Sequence, residues 1–458
     1  MTRNDLTQLS QDELIDLVLA HVEQNAKLQA EIEALRLKLE KGKKPPTNSG
    51  NSSQPPSQDQ KGNLPPKRKK HKHGPPAGHV KYERKFVAQP DHVVEIKPKV
   101  CQFCQTDVSQ AKMVLLDVNQ VTELPVAKAE VIEIRQYVAE CPCCGHGQVV
   151  EPPAGLDMQR AFGARLEATV VYYRQEQHMS YVRTQAALQN LHGVEISEGG
   201  IDKIMQRAGA KALEAIKPIE QAIQEGAVIH SDETSSRVDG NTFWQWVFSS
   251  VNAVLHIIRF NRSFDVVKEL MGEHEAEVWV CDCYSAQMKA PAKQHQLCLA
   301  HQLRNLQAVV ELLPKHFWAR HVQSLLRYAI HLHNQRQNVP REVLLNRTER
   351  IERCFDRLLK QNLDPPEARR LQRRYQKYRD AIFVFLHRTD VSPTNNVSER
   401  LLRPAVIHRK VSGGFRSNWG AKTYAALKSL TDTGALSGIT PFDVIQKLSG
   451  VPALPLGT

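Results

Sequence analysis

Ala227-Val-Ile-His-Ser-Asp232, Asn241-Thr-Phe-Trp-Gln-Trp-Val-Phe248, Val254-Leu-His-Ile-Ile-Arg-Phe260 and Glu277-Val-Trp-Val-Cys-Asp282 are the runs on which the fold of this 458-residue chain turns. Each is short, apolar and rich in β-branched or aromatic residues, the composition of a strand rather than of a helix. Asp239-Gly240 stands directly before the second run and predicts a tight hairpin turn. Phe264 to Met271, between the third and fourth runs, has helical periodicity. The first and the last run both end in an aspartate.

Three strands, a helix and a fourth strand match the opening of the ribonuclease H fold, in which the ends of strands one and four are neighbours. Asp232 and Asp282 would then face each other. Like charges at a few ångströms repel, so such a pair is costly unless a cation neutralises it. Hard carboxylate oxygens suit Mg2+, and two such ions serve displacement at a phosphodiester. An aspartate that only caps a turn after a strand is the plainer alternative for either position. A third carboxylate tips the balance. Asn395-Asn-Val-Ser-Glu399-Arg400 follows a long helical stretch, and Asn396 with Glu399 three residues on reads as a capping box opening a helix. Arg400, Arg403, Arg409 and Lys410 beside it supply charge suited to a phosphate backbone.

The composition outside this core limits the classes of function. With 41% hydrophobic residues the chain buries a sizeable core. No apolar run approaches the ~18 residues of a membrane helix, and the polar, acidic opening from Met1 to Leu14 does not read as a secretory signal. The expectation is a cytoplasmic, nucleoid-associated protein without a membrane partner. The net charge is +12, and 14 Lys and Arg against 4 Asp and Glu fall between Lys41 and Lys99. A positive segment beside balanced domains points to nucleic acid.

Leu14, Val18, Leu28, Ile32, Leu35 and Leu39 mark an apolar seam, with His21 and Asn25 in the intervening places. That pattern is a coiled-coil helix and predicts self-association. Four Pro-Pro pairs then punctuate a polar tract that cannot pack, and within it Lys67, Arg68, Lys69 and Lys70 offer phosphate contacts. Cys101-Gln-Phe-Cys104 and Cys141-Pro-Cys143-Cys144 are two knuckles separated by strand-like runs at Val114 to Val118 and Val131 to Val138. They predict a zinc ribbon with Cys101, Cys104, Cys141 and Cys144 as ligands and Cys143 turned away. Ser180 to Leu191, a turn at His192 to Ile196 and a second helix capped by Ser197 have helix-turn-helix spacing.

Taken together, these residues resemble the bacterial DDE transposases of the insertion-sequence 66 family. The likeness rests on the leucine-rich helix, Asn48-Ser-Gly-Asn-Ser-Ser-Gln-Pro-Pro56, the cysteine pairs and Phe162-Gly-Ala-Arg-Leu166. It continues through Ile196-Ser-Glu-Gly199, His230-Ser-Asp-Glu-Thr234, Cys298-Leu-Ala-His301, Asn395-Asn-Val-Ser-Glu-Arg400 and Arg409-Lys-Val-Ser-Gly-Gly414. The resemblance implies a catalytic triad of Asp232, Asp282 and Glu399 holding two Mg2+ ions, with Mn2+ as a substitute and Zn2+ as the structural metal. His301 matches a Cys/Asp-x-x-His motif of several DDE lineages and is placed near the reaction centre. Cys283 departs from the glycine expected after the second aspartate. The activity implied is strand cleavage and strand transfer on double-stranded DNA at transposon ends and target, with small accessory proteins as further partners. A non-catalytic DNA-binding regulator of transposase descent is the alternative, and a nuclease on the same fold a third.

The spacings add one expectation. Fifty residues separate the two aspartates and 117 separate Asp282 from Glu399, so a helical segment is inserted in the second gap. Its stretch from Glu367 to Arg379 carries Arg370, Arg374 and Lys377 on one face, suited to steering DNA. The whole reads as a multidomain α+β protein. Its parts are a coiled-coil helix (1–42), a disordered basic linker (43–85), a zinc ribbon (86–155) and a helix-turn-helix-like region (156–222). A ribonuclease H-like α/β core (223–304 and 391–425), interrupted by a helical insertion (305–390), and a helical tail (426–458) complete it.

Overall fold

The structure is a computed structural model that describes residues 24, 28, 29, 47–52, 59–60, 84–125, 128–152 and 159–448. Lys67, Arg68, Lys69 and Lys70, and all but three residues of the expected coiled-coil helix, lie outside the described residues. The chain divides into two units, residues 66–133 with 185–195, and all the rest. Outside the helical residues 185–192, the described residues of the smaller unit form turns and irregular chain. Cys101 opens a turn closed by its own amide on the Thr106 carbonyl at 2.9 Å, and Val87 exchanges two 2.8 Å bonds with the Gln120 side chain. The run from Val114 to Val118, expected as a strand, forms none, and Leu116 is almost fully exposed. A ladder requires a partner, and none of the described residues supplies one.

The larger unit opens with a short antiparallel pair, β1 (Val138–Glu140) and β2 (Gly147–Val149), which flank the second cysteine knuckle. Of the second expected strand only this end pairs. Helices α1 (Ala164–Gln175), α3 (Glu198–Ala215) and α4 (Lys217–Gln224) follow, while α2 (Tyr181–His192) runs from this unit into the smaller one. Ser197 caps α3 as expected, accepting from the Gly200 amide at 3.1 Å.

The sheet comes next in the order β5-β4-β3-β6-β7 of this numbering. Its strands are β3 (Val228–Val238), β4 (Asn241–Ser249), β5 (Val254–Arg259), β6 (Ala276–Cys281) and β7 (Ala292–Leu297). Asp239 and Gly240 both take positive φ (48° and 73°), the geometry of the anticipated hairpin turn. The first and fourth strands of the run, β3 and β6, are parallel neighbours. Helix α5 (Phe264–Met271) makes the crossover between β5 and β6.

Period-two alternation splits the sheet into two faces. Ile229, Trp246, Phe248, Leu255, Ile257 and Trp279 fill one face with α4 and α5. There Trp246 stacks on Phe248 at 6.0 Å and Trp279 meets Phe248 edge-on at 6.1 Å, pairs each worth about 1 kcal/mol beyond area burial. The other face takes Val278, Val280 and Leu297 into a second core built with helices α6 (Leu299–Leu312), α7 (Trp318–Asn334), α8 (Arg341–Leu359), α9 (Pro366–Lys377) and α10 (Val384–His387). Between Asp282 and Glu399 the chain thus adds the edge strand β7 and then a set of helices that share a core with the sheet.

Two further helices complete this face. Helix α11 (Asn396–Ser412) lies over β3 and β4, and α12 (Asn418–Leu436) over β5. Gly414 lets the chain between them touch β3: φ is 113°, and a Cβ there would come within 2.7 Å of the Arg237 carbonyl oxygen. Helix α13 (Pro441–Leu448) ends the described chain. Among the described residues no helix is long and apolar enough to cross a membrane.

Candidate active site

Parallel pairing sets the first two carboxylates. Val228, Ile229 and His230 of β3 are in register with Val278, Trp279 and Val280 of β6. Asp232 and Asp282 lie two residues past the last pair, at the same level on neighbouring strands. Asp282 directly follows the end of β6, but the strand expected to end at Asp232 runs on to Val238, its pairing with β4 continuing where that with β6 stops. Burial, the charges of Glu233 and Asp282, and a contribution from Glu399 raise the Asp232 carboxyl well above the usual carboxylate range. Its Oδ1 accepts from the Glu233 amide at 2.9 Å, and Asp282 Oδ1 accepts from the Tyr284 amide at 2.8 Å.

Glu399 arrives on the first turn of α11, and a buried asparagine fixes that turn. Asn395, 1% exposed, donates from Nδ2 to the Ser231 carbonyl at 2.6 Å and accepts at Oδ1 from the Ser398 hydroxyl at 2.9 Å. Its Oδ1 also lies 3.3 Å from His230 Nδ1, and its backbone N–H donates to Cys298 Sγ at 3.1 Å. The capping box expected on Asn396 is therefore displaced by one residue. Asn395 occupies the N-cap, Asn396 is exposed in the first turn, and the Asn395 side chain is turned to β3 rather than back on its own helix.

The N-terminus of α6 meets the same point. The Cys298 amide donates to the Cys281 carbonyl at 2.7 Å and the Leu299 amide to the Pro393 carbonyl at 2.9 Å. One turn into α6, His301 Nδ1 is 3.8 Å from Glu399 Oε1, and Arg304 Nη2 is 3.7 Å from the same oxygen. Both His301 Nδ1 and Glu399 Oε1 are buried atoms without a hydrogen-bond partner. Burial holds the His301 imidazole below its ordinary range. Cys298, His301 and Glu399 can each direct a ligand atom to a common point, the three atoms lying within 4.8 Å of one another. Cys298 is buried, its thiol is pushed up by that burial, and it already accepts the Asn395 amide. The oxygens of Glu399 and the aspartates fit a hard divalent cation better than this thiol does.

A network on the opposite face of the sheet was not legible in sequence. Glu233, next to Asp232 and so of opposite parity, is buried and paired with Arg262 and with Gln287 Nε2. Arg262 lies 4.0 Å from the Tyr284 ring centroid and 4.6 Å from that of Trp244, and the Tyr284 hydroxyl donates to the Arg262 carbonyl at 2.6 Å. This assembly clamps the turn that follows Asp282. Parity alone could have assigned Glu233 to the far face, but nothing local paired it with Arg262, 29 residues on.

The remaining candidates divide. Arg400, Arg403 and Lys410 face solvent along α11, whereas the half-buried Arg409 donates to the carbonyl and hydroxyl of Ser235. The two cysteine knuckles share one backbone form. Each first cysteine donates to the carbonyl five residues on, and Gln105 and Gly145 take the same left-handed conformation (φ 60° and 70°). The Thr106 hydroxyl, 3.2 Å from the sulfur, holds Cys104 down to about 7, and the amides of Cys144 and Cys143 lower Cys141. Both turns therefore favour thiolates.

No curated protein matches the chain. Comparison with protein-family profiles matches the Transposase IS66 family over residues 159–423, a span that takes in the whole sheet, all three carboxylates and the helices between them. With more than half of its length matched, the chain belongs to the IS66 family of transposases.

Proposed function

We propose that the chain is a transposase that cuts and rejoins DNA strands at the inverted-repeat ends of an insertion sequence. Asp232, Asp282 and Glu399 would hold the divalent cations on a ribonuclease H-like core. Bound there, two Mg2+ ions, or Mn2+ in their place, would activate the attacking oxygen and stabilise the leaving one. Hydrolysis at the element end adds water across one P–O bond and frees a 3′ hydroxyl. In strand transfer that hydroxyl forms a new P–O bond in the target while another breaks, so no oxidant or reductant is needed.

What supports the reading most is the imbalance among the carboxylates. Asp232 carries a strongly raised carboxyl among other acids, while Glu399 Oε1 is buried with no hydrogen bond to satisfy it. A DNA-binding regulator has no use for such an arrangement, which costs stability until a cation arrives. Asn395 would aim Glu399, and His301, kept uncharged by burial, would not compete with a cation for its oxygen.

The same reading assigns roles along the chain. Residues 1–42 would form a coiled coil that self-associates, and 43–85 a basic linker with Lys67 to Lys70 on phosphates. In 86–155 Zn2+ would sit on Cys101, Cys104, Cys141 and Cys144, and 156–222 would contribute to binding the ends. The catalytic core spans 223–304 and 391–425 around the insertion 305–390, with 426–458 as a tail. Arg400, Arg403 and Lys410 would add backbone contacts. Small accessory proteins fit as further partners, and the place of action is the cytoplasm at the nucleoid.

A plasmid carrying the element's ends tests this. Wild-type protein with Mg2+ nicks it, and Asp282→Asn binds the same DNA but leaves it uncut. Full cleavage by Asp282→Asn overturns the assignment of the carboxylates. Binding without nicking by both proteins leaves the regulator in place of the enzyme.

A further inference from the structure

Cys298 and His301 stand against Glu399, yet they belong to neither strand that carries the aspartates. They are an i, i+3 pair at the head of α6, Cys298 as its N-cap and His301 in its first turn. His301 Nδ1 and Glu399 Oε1 are both buried without a hydrogen bond, 3.8 Å apart. That gap is too long for a hydrogen bond, and two orphaned ligand atoms facing across it suit an ion between them. Cys298 Sγ completes a triangle whose three atoms lie within 4.8 Å of one another.

This donor set is not one for Mg2+, which takes oxygens. Thiolate, imidazole and carboxylate are ligands of tetrahedral Zn2+, and three of them leave one position open. At zinc bond lengths of about 2.0–2.3 Å, tetrahedral ligand atoms stand about 3.3–3.6 Å apart. From 3.8 Å and at most 4.8 Å, the triangle has only to close by about 0.5 to 1.2 Å, which side-chain rotation supplies. A thiolate and a carboxylate also cancel the charge of the ion, so its burial leaves no net charge. Arg304 Nη2, 3.7 Å from the same Glu399 oxygen, opposes the ion and would have to share that carboxylate with it. Asn395 holds two corners of the triangle from behind. Its N–H donates to Cys298 Sγ at 3.1 Å, and its carbonyl accepts the Glu399 amide at 3.2 Å. Outer contacts of this kind orient metal ligands. His301 and Glu399 keep 13% and 25% of their side chains exposed, which leaves an ion a way in.

We propose that Cys298, His301 and Glu399 form a Zn2+ site that switches the catalytic centre off. This rests on the transposase reading and adds a regulation of the same site. Glu399 is the shared element. Held by zinc at Oε1, it is drawn toward α6 and its charge is spent, so the Mg2+ ions lose a ligand. Binding forms Zn–S, Zn–N and Zn–O bonds, the thiol proton passes to water, and no electron moves. Because the thiolate and imidazole favour the softer ion, micromolar Zn2+ competes for Glu399 against millimolar Mg2+. The site is separate from the cysteine knuckles, which share no residue with it.

The first test counts zinc. In equilibrium dialysis of the full chain against micromolar Zn2+ with millimolar Mg2+ present, the wild type should bind one zinc more than Cys298→Ser or His301→Gln. Loss of one ligand should weaken the site by about a hundredfold or more. His301→Gln, at a half-buried position, carries the test if the buried serine variant does not fold. Cys101→Ser/Cys104→Ser should lose a different zinc and keep the one that Cys298→Ser lacks. The second test is plasmid nicking in Mg2+, each protein measured against its own rate without added zinc. Zinc at ten times its Kd should slow the wild type about tenfold, by mass action, and slow Cys298→Ser far less. Equal zinc in the wild type and both variants overturns the site. Equal slowing of wild type and Cys298→Ser puts the inhibition on the aspartates and overturns the switch. Either result leaves the transposase reading standing, and that reading falls instead if the wild type without added zinc nicks nothing.

Discussion

Two polar clusters sit two strands apart on one face of the sheet and are built on opposite rules. Asp232 pairs across β3 and β4 with Val247, and Val247 pairs across β4 and β5 with His256, so the three share a row. Between the clusters Val247 packs against Leu402 of α11. On the β5 side every charge is answered. His256 Nε2 lies 2.8 Å from Asp432 Oδ2, and Lys428 Nζ lies 2.9 Å from Asp432 Oδ1 and 3.3 Å from Glu176 Oε2. Gln245 Nε2 and the Ser429 hydroxyl occupy the remaining His256 groups. On the β3 side acids face acids, and the buried Oε1 of Glu399 has no hydrogen-bond partner, Arg304 standing off at 3.7 Å. One cluster answers its acids with hydrogen-bonded cations, and the other gathers acids without doing so.

That contrast breaks if the two clusters respond alike to loss of a carboxylate. Asp432→Asn leaves Lys428 buried with one acid fewer and should cost about 3–5 kcal/mol, the usual penalty for orphaning half of a buried pair. Asp232→Asn in EDTA should instead raise the melting midpoint slightly, because it removes a repelling charge. Chemical denaturation of both variants checks the signs. Acid adds a second check. Burial raises the Asp432 carboxyl, but the His256 hydrogen bond and the His256 and Lys428 charges outweigh it and leave it below the ordinary range. A depressed folded value means its stabilisation is complete above the unfolded pKa of about 3.9 and is lost only as pH falls below that. The gap between wild type and Asp432→Asn should therefore stay constant from pH 7 to 5 and close in stronger acid.

Asn395 sharpens the comparison, since both ends of its side-chain amide are hydrogen-bonded beside the carboxylates. Asn395→Ala removes two strong side-chain bonds and should cost about 2 kcal/mol of stability. Its effect on nicking should be larger than that loss suggests, about a hundredfold in kcat with the DNA-binding constant unchanged. Displacing a catalytic group by about 1 Å has that consequence. An equal fall in binding and turnover would make Asn395 a fold residue only.

How far the sequence revealed this follows from the range of each interaction. Local signals were readable: the Asp239-Gly240 turn, the Ser197 cap, the helix from Phe264 to Met271 and the strand end before Asp282 lie where pattern and turn chemistry put them, whereas the first strand runs past Asp232 to Val238. The helical content between Asp282 and Glu399 followed from a length too great for a bare core. What could not be read joins residues far apart. Asn395 meets Ser231 across 164 positions, Lys428 meets Glu176 across 252, and Arg304 meets Glu399 only because two helix N-termini converge. The misplaced cap belongs to the same class. Locally Asn395 and Asn396 are equivalent, and only the demand of β3 for a donor at the Ser231 carbonyl distinguishes them. The unpaired run from Val114 to Val118 shows the converse, a local strand pattern without a partner.

The smallest effect is also the most direct reading of the imbalance. A cation that binds the folded carboxylate cluster and not the unfolded chain stabilises the fold by RT ln(1 + [L]/Kd), about 1.4 kcal/mol at ten times Kd. Mg2+ titrated into the metal-free protein should therefore raise the melting midpoint by a few degrees and saturate. Asp232→Asn and Asp282→Asn, each short of one ligand, should lose that shift, while Asp432→Asn, with its acids already answered by Lys428 and His256, should keep it. Calcium or Mg2+ acting equally on all three variants would mean a nonspecific effect on an acidic surface, and the two clusters would no longer differ in kind. A shift confined to proteins with intact Asp232 and Asp282 ties the uncompensated charge to its ligand without any DNA present, and so separates the metal site from everything that cleavage additionally requires.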